Sequence, residues 1–202
     1  MYCIVTTDGD PSWYQGFNSP YYTESHRKWR EYLREYIDEH IIPNAHAWDE
    51  AGAVPKELYT DLASRGILPV AVSHAGWPKQ FTDITPGNGL VSVDEFDAFH
   101  MQVFADEFAR HGSGGISWAL FGGLSIGLPP VLHFATKSLC SKIAPECLSG
   151  QKFICLAITE PSTGSDVASL TTTAVKSDDG KYYIVNGIKK WITNGIWSGM
   201  II

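Results

Sequence analysis

The stretch that decides the fold is residues 153–167, FICLAITEPSTGSDV. The apolar run from Phe153 to Ile158 predicts a buried strand, and Glu160-Pro161 stops it, because proline lacks an N–H and holds its predecessor extended. A small polar loop follows. Ser162, Thr163, Gly164, Ser165 and Asp166 offer hydroxyls and free backbone N–H groups, and Gly164 admits positive φ. That chemistry suits a phosphate or pyrophosphate, and an ordinary turn has the same composition.

Working outward toward the C-terminus, strands are predicted at Leu170 to Lys176, Lys181 to Val185 and Ile188 to Thr193, with Asp179-Gly180 and Asn186-Gly187 as hairpin turns. Trp197 to Ile202 reads as the entry to a further strand with no partner in the chain, an exposed apolar edge. On the other side of residue 151 the period changes to that of helices. Thr23 is an N-cap with Glu24 in the first turn, and Trp29, Tyr32, Leu33, Tyr36 and Ile37 recur on one face. Pro43 interrupts that pattern, which resumes from Ala45 to Ala51 and ends before Gly52. Pro55 suits the first turn of a helix carrying Leu58, Leu62 and Ala63 inward, closed by Gly66.

A long loop from Ser73 to Asn88 reads as a lid or an insertion. Helix resumes near Ser92, turning Phe96, Phe99, Val103, Phe104 and Phe108 inward, and fails at His111-Gly112. Ile116 to Leu128 is apolar, rich in glycine and almost uncharged, hence buried or cavity-lining. Pro129-Pro130 ends it, and an amphipathic segment from Thr136 to Ser149 follows, broken or kinked at Pro145. The expected class is α+β: an irregular arm (residues 1–20) with Trp13, Tyr14 and Phe17 as anchors, an α-helical bundle domain (21–150), and an incomplete antiparallel β-domain (151–202).

With 44% hydrophobic residues in 202, the chain is long enough for a sizeable core, and a net charge of −7 without a basic stripe argues against a nucleic-acid partner. The sequence shows no segment approaching a membrane span and no secretory signal at MYCIVTTDGD, so an intracellular setting is expected, with mitochondrial, peroxisomal and cytoplasmic locations all open. Cys3, Cys140, Cys147 and Cys155 lack metal-ligand or paired spacing and read as buried free thiols. No metal is expected. Asp94, Glu95, Asp97 and His100 read as a solvated face at the start of one helix.

Gly123-Leu124-Ser125-Ile126-Gly127 matches GxSxG, and His111 to Gly115 faintly resembles oxyanion glycines, which opens a serine hydrolase using Ser125. A nucleophile elbow needs a strand before the serine and a helix after it, and the pattern here is helical throughout.

The string ITEP-x-x-GSD (residues 158–166) followed by KKWITNG (residues 189–195) closely resembles the paired signatures of the FAD-dependent acyl-CoA dehydrogenase family. SIGLPP (125–130) is similar to the family's helical region along the acyl chain, and WYQGFNSPYYTESHRKWREYLREYI with HAWDEAGAVP resembles a fungal branch. The resemblance implies that Leu156, Ala157, Ile158 and Thr159 flank the flavin, that Ser165 lies at its pyrophosphate near the thioester, and that Trp191, Ile192 and Thr193 lie on the ring, with Thr193 toward N5. It implies that Leu120, Phe121, Leu124 and Ser125 border the substrate tail, with plain core packing an equal alternative.

Leu156, where many members carry an aromatic residue, and Ser162-Thr163, in place of a Gly-Ala type pair, are departures. The implied substrate is an acyl-CoA thioester, the implied assembly of full-length relatives a homo-oligomer. The family's catalytic base is a glutamate of a C-terminal helical domain, expected beyond residue 202. The chain is therefore expected to be a C-terminally truncated member lacking the base, with a non-catalytic binding remnant as the alternative.

Overall fold

The computed structural model describes residues 9–202. The reading of residues 1–8, Cys3 included, lies outside the described residues. Residues 9–23 form turns without a regular element, and Tyr14 is buried in them while Phe17 projects into solvent, so only part of the expected anchor docks.

The first helix, α1 (Glu24–Tyr36), begins after Thr23, whose backbone N–H donates to His26 Nδ1 at 3.0 Å. A π-helical turn, Ile37–Ile41, joins it to α2 (Ile42–Ala51). Pro43 therefore does not break the chain direction. It occupies the first turn of α2, where a missing N–H costs little. Pro55 lies outside its helix, since α3 spans Glu57–Ser64, and its carbonyl accepts from Leu58 N at 3.1 Å. A 3₁₀ turn, Leu68–Val72, is buried throughout, and Trp77 pins the loop after it by donating from Nε1 to Ile84 O at 2.7 Å.

Helix α4 (Ala98–Ala109) starts six residues later than the sequence predicts, because Asp97 caps it by accepting from Phe99 N at 2.9 Å and His100 N at 3.0 Å. Asp94 and Glu95 consequently stand before the helix, and Phe99 and Phe104 are only half-buried. Next, α5 (Gly114–Ser117), a π-helical turn (Trp118–Gly122) and α6 (Gly123–Phe134) form one continuous rod. Pro129-Pro130 does not end it. The carbonyls the two prolines leave unpaired, on Ser125 and Ile126, lie on the exposed side where water can serve them.

This 21-residue rod is long and apolar enough by composition to cross a membrane, which the sequence reading missed, yet half of its apolar stretch is buried inside the protein. Leu120, Phe121, Leu124, Leu128 and Val131 all belong to the common core. Helix α7 (Lys137–Leu148) carries Pro145 on its solvent side without a break.

The β part is smaller and differently paired than expected. Strand β1 (Ile154–Cys155) pairs in parallel with β4 (Met200–Ile201), while β2 (Thr173–Lys176) and β3 (Tyr183–Asn186) form an antiparallel hairpin. The last residues thus do have a partner: Ile202 N donates to Cys155 O at 2.9 Å and Ala157 N to Ile202 O at 2.6 Å. The hairpin turns at Ser177–Tyr182 around Asp179-Gly180. Asn186 stays in the ladder opposite Thr173, so Asn186-Gly187 makes no second hairpin. Residues 188–193 pair with no strand and instead turn over the end of β1.

Helices α1 and α4 run side by side in the same direction. His26 meets Asp97, Trp29 Nε1 donates to His100 O at 3.0 Å, and Arg34 meets Glu107.

Candidate functional site

Two of the segments singled out from the sequence, Leu156 to Thr159 and Trp191 to Thr193, meet where the chain leaving β1 is crossed by residues 189–195. Lys190 N donates to Thr159 O at 2.9 Å, and Lys189 Nζ donates to Ile158 O at 3.0 Å. The half-buried segment Leu156 to Thr159 therefore lies directly beside the turn that carries Trp191, Ile192 and Thr193. Trp191 has φ of 60°, unusual for a residue with a side chain, and its ring is 79% exposed with Lys190 Nζ 4.6 Å from its centroid. The hydroxyls of Thr159 and Thr193 have no hydrogen-bond partner among the described residues.

The other end of the turn is held by the helical rod. Asn194, also at positive φ, donates from Nδ2 to Ala119 O at 3.0 Å, and the Tyr59 hydroxyl of α3 donates to the same carbonyl. Ala119 sits in the π-helical turn, whose wider spacing disturbs the usual ladder and leaves a carbonyl for side-chain donors. Gly122 and Gly123 let the chain come this close: a Cβ on Gly122 would stand 3.0 Å from Thr193 Cγ2, and one on Gly123 2.9 Å from Asn194 Nδ2.

Glu160 is buried and accepts from Thr171 N, Thr171 Oγ1, Thr172 N, Thr172 Oγ1 and Lys189 Nζ at 2.5–3.0 Å. The hydrogen bonds of Thr171, then those of Thr172 and Lys189, hold its carboxyl far below the usual range. A carboxylate so engaged is no proton acceptor near neutral pH. Ser165 stands apart on an exposed loop whose backbone turns at Val167 N to Ser165 O, 3.0 Å.

Leu120, Phe121 and Leu124 are buried in the helical core. The same rod turns a different row outward, Trp118 and Ile126, with Gly122 between them at four-residue spacing and against Thr193. That spacing was visible in the sequence and passed over, as were the two lysines before Trp191. Ser125 Oγ donates to its own helix at Gly122 O, 3.2 Å, in mid-helix, so the elbow a hydrolase motif requires is not formed. Beside Asn194 a cavity of about 210 Å³ opens between Trp48, Trp118 and Trp197.

A second cluster, His26, Asp97 and His100, has the donor types of a metal site. Its atoms are engaged in capping the two helices. His26 Nδ1 accepts from Thr23 N and His26 Nε2 lies 3.0 Å from Asp97 Oδ1, while His100 contacts Asp97 and Ser25 Oγ. Burial opposes ionisation of Asp97, but the bonds from His26 and His100 prevail and bring its carboxyl down to about 2; burial also lowers His100.

Both shifts depress the folded-state value, so both contributions to stability are present at high pH and lost on acidification. Unfolding midpoints measured from pH 8 to pH 2 are expected to fall in two stages. The first begins below about pH 6.5, the ordinary histidine value, and the second runs from about pH 4 down to 2. His100→Gln should shrink the first, leaving the part due to His111, whose imidazole burial also pushes down.

Residues 23–151 match the family model for the N-terminal domain of acyl-CoA dehydrogenases, and residues 155–202 match that for their middle domain. An acyl-CoA dehydrogenase of Emericella nidulans, apdG, is 44% identical over 197 residues, a match covering 94% of this chain and 43% of that protein. The acyl-CoA dehydrogenase AFT10-1 of Alternaria alternata is 38% identical over 194 residues, covering 96% and 44%. The chain thus spans less than half the length of these relatives.

Among solved structures, an acyl-CoA dehydrogenase from Geobacillus kaustophilus aligns with a TM-score of 0.73 at 28% identity, covering 92% of this chain and 44% of that one. A Bacillus anthracis acyl-CoA dehydrogenase complexed with FAD aligns at 0.71 with 24% identity, covering 92% and 29%, a likeness of fold.

Proposed function

The chain belongs to the acyl-CoA dehydrogenase family, and from that premise we propose that it forms the helical and flavin-facing part of an FAD-dependent oxidoreductase acting on an acyl-CoA thioester. The observation that carries this reading is the pair of adjoining segments, Leu156 to Thr159 and Trp191 to Thr193. They adjoin through Lys190 N and Thr159 O, and they carry the exposed Trp191 indole and the Thr159 and Thr193 hydroxyls, which are unpaired among the described residues. Bound there, FAD would supply the two-electron acceptor for α,β-dehydrogenation.

The remaining work falls to the chain's own groups. Thr159 and Thr193 would hydrogen-bond a polar ring edge, and Trp191 would cover an aromatic face. Ser165, with Ser162 and the open backbone at Gly164, suits a pyrophosphate. For the acyl tail the face marked by the exposed Trp118 and Ile126 is better placed than Leu120, Phe121 and Leu124, because the buried Gly122 between them packs against Thr193 while those three face the core. Ser125, half-exposed, borders that face. In this reading the proton-abstracting base and the contacts of a homo-oligomer are supplied from outside the residues described.

Titration of the 202-residue chain with FAD, followed by visible absorbance and flavin fluorescence quenching, tests this directly. Saturable binding is expected, weakened about tenfold in Trp191→Ala and in Thr193→Ala, the loss of a stacked ring or of one hydrogen bond to a polar ligand. A folded chain that leaves flavin fluorescence unchanged rejects the reading.

A further inference from the structure

Glu160 and Lys189 sit between the two segments that meet at the site, and neither has a role in the chemistry set out above. We propose that they act as a positioning pair that sets the register of residues 156–159 against the turn at 191–193; this rests on the flavin reading of those segments.

The geometry is that of a clamp. Lys189 Nζ reaches two acceptors at once, Ile158 O at 3.0 Å and Glu160 Oε1 at 2.9 Å. The next residue adds a backbone bond one step along, Lys190 N to Thr159 O at 2.9 Å. Consecutive donors on consecutive carbonyls fix both the translation and the rotation of one segment over the other. A slip by one residue would turn the opposite side chains to the ligand.

Glu160 is in turn tied to the chain around it. Its own backbone closes a reverse turn with Thr163, Glu160 N to Thr163 O at 2.9 Å and Thr163 N to Glu160 O at 3.1 Å. Its Oε2 is held by Thr171 N at 2.7 Å and Thr171 Oγ1 at 2.6 Å, and its Oε1 by Thr172 N at 3.0 Å and Thr172 Oγ1 at 2.5 Å. The carboxylate thus joins the end of the first segment, the approach to β2 and the lysine that starts the second. With the far end of the turn anchored at Asn194, residues 191–193 are bridged between two fixed points, and Trp191 takes its left-handed backbone there. Charge-assisted bonds suit this task because they are short, directional and strong where partly shielded from water.

An isolated structural salt bridge would raise stability everywhere and leave the turn's conformation alone. A positioning pair moves the turn specifically. The test uses the 202-residue chain labelled with ¹⁵N, comparing wild type with Lys189→Met, Lys189→Arg and Glu160→Gln by amide and indole spectra and by FAD titration. Lys189→Met and Glu160→Gln are expected to shift the Trp191 indole and the Thr171, Thr172 and Thr193 amide signals, with the Trp29 indole of the helical core unmoved. FAD affinity should fall about tenfold, the loss of a hydrogen bond to a charged group. Lys189→Arg, which keeps the charge and offers more than one donor for the charge-assisted bonds, should restore affinity to within about threefold of wild type.

Unchanged Trp191 and Thr193 signals with unchanged affinity in Lys189→Met would overturn the assignment. So would a displaced Trp29 signal in Lys189→Met that Lys189→Arg fails to correct, since that is general unfolding. If wild type takes up no FAD while Lys189→Met still moves the Trp191 turn and Lys189→Arg restores it, the clamp stands and the flavin reading falls.

Discussion

Glu107→Ala is expected to destabilise the helical part by about 3–5 kcal/mol, the cost of removing one partner from a buried ion pair. At this chain length that corresponds to a fall in the thermal midpoint of roughly 10 °C. Glu107 is fully buried on α4, and Arg34 of α1 grips it with two donors, Nε at 3.0 Å and an Nη at 2.7 Å. Arg30, itself buried, lies 2.7 Å from the same carboxylate, and Arg110 3.2 Å from it. Asp10 of the arm meets Arg30 and Arg34 on their other side, and the Tyr14 ring stacks within 5.0–5.2 Å of both guanidinium groups.

Truncating Glu107 leaves Arg30 and Arg34 to share the buried Asp10, with only the half-exposed Asp106 besides on Arg30, so the penalty is dominated by stranded charge. Asp106→Ala is the contrast: it also touches Arg30, at 2.6 Å, but its side chain is half-exposed and solvent takes its place. Thermal melts by circular dichroism should show Asp106→Ala within about 1 kcal/mol of wild type. Equal effects for the two variants would refute the buried network as a source of stability.

That network also marks a limit of reading the sequence. Arg30 and Arg34 stood on what the helical period assigns to a solvated face, and nothing local announced that Asp10 and Glu107 would close over them. The helices themselves were legible because each carries its signals in a few adjacent residues, as Thr23 and Gly52 do. Proline misled wherever its lost hydrogen bond falls on the exposed side, at Pro129, Pro130 and Pro145. The β pairings failed for a different reason. Residues 154–155 and 200–201 are more than forty positions apart, and only the closed chain shows that the last segment returns to the first strand in parallel. That residues 156–159 and 191–193 belong together was legible through the two signature strings, whereas the joint that holds them, Tyr59 and Asn194 on Ala119 O, depends on a π-helical turn with no sequence mark beyond a run of small and apolar residues.

The importance of that joint leads to the second large expected effect. Gly123→Val should cost about 3 kcal/mol, at the upper end of overpacking penalties. A Cβ at this position collides with Ile154 O, a backbone carbonyl of β1 that cannot rotate away, and stands 2.9 Å from Asn194 Nδ2 and 3.2 Å from Asn194 Cβ. The rod and β1 must then separate, and Asn194 loses its bond to Ala119 O. Gly122→Ala should be milder, about 1 kcal/mol, because its neighbours are the Trp118 ring and the Thr193 methyl, side chains that can shift.

The location of the loss can be read as well as its size. In Gly123→Val the β part loosens from a helical core that keeps its own packing, so trypsin should cut at Lys189 and Lys190 many times faster than in wild type, with α1 and α4 still protected. Denaturant midpoints and the order of proteolytic cuts measure the two quantities separately. A Gly123→Val chain as stable as wild type, or one that opens first at α1, would show that the close approach of rod and strand does not hold the turn at residues 191–193 in place.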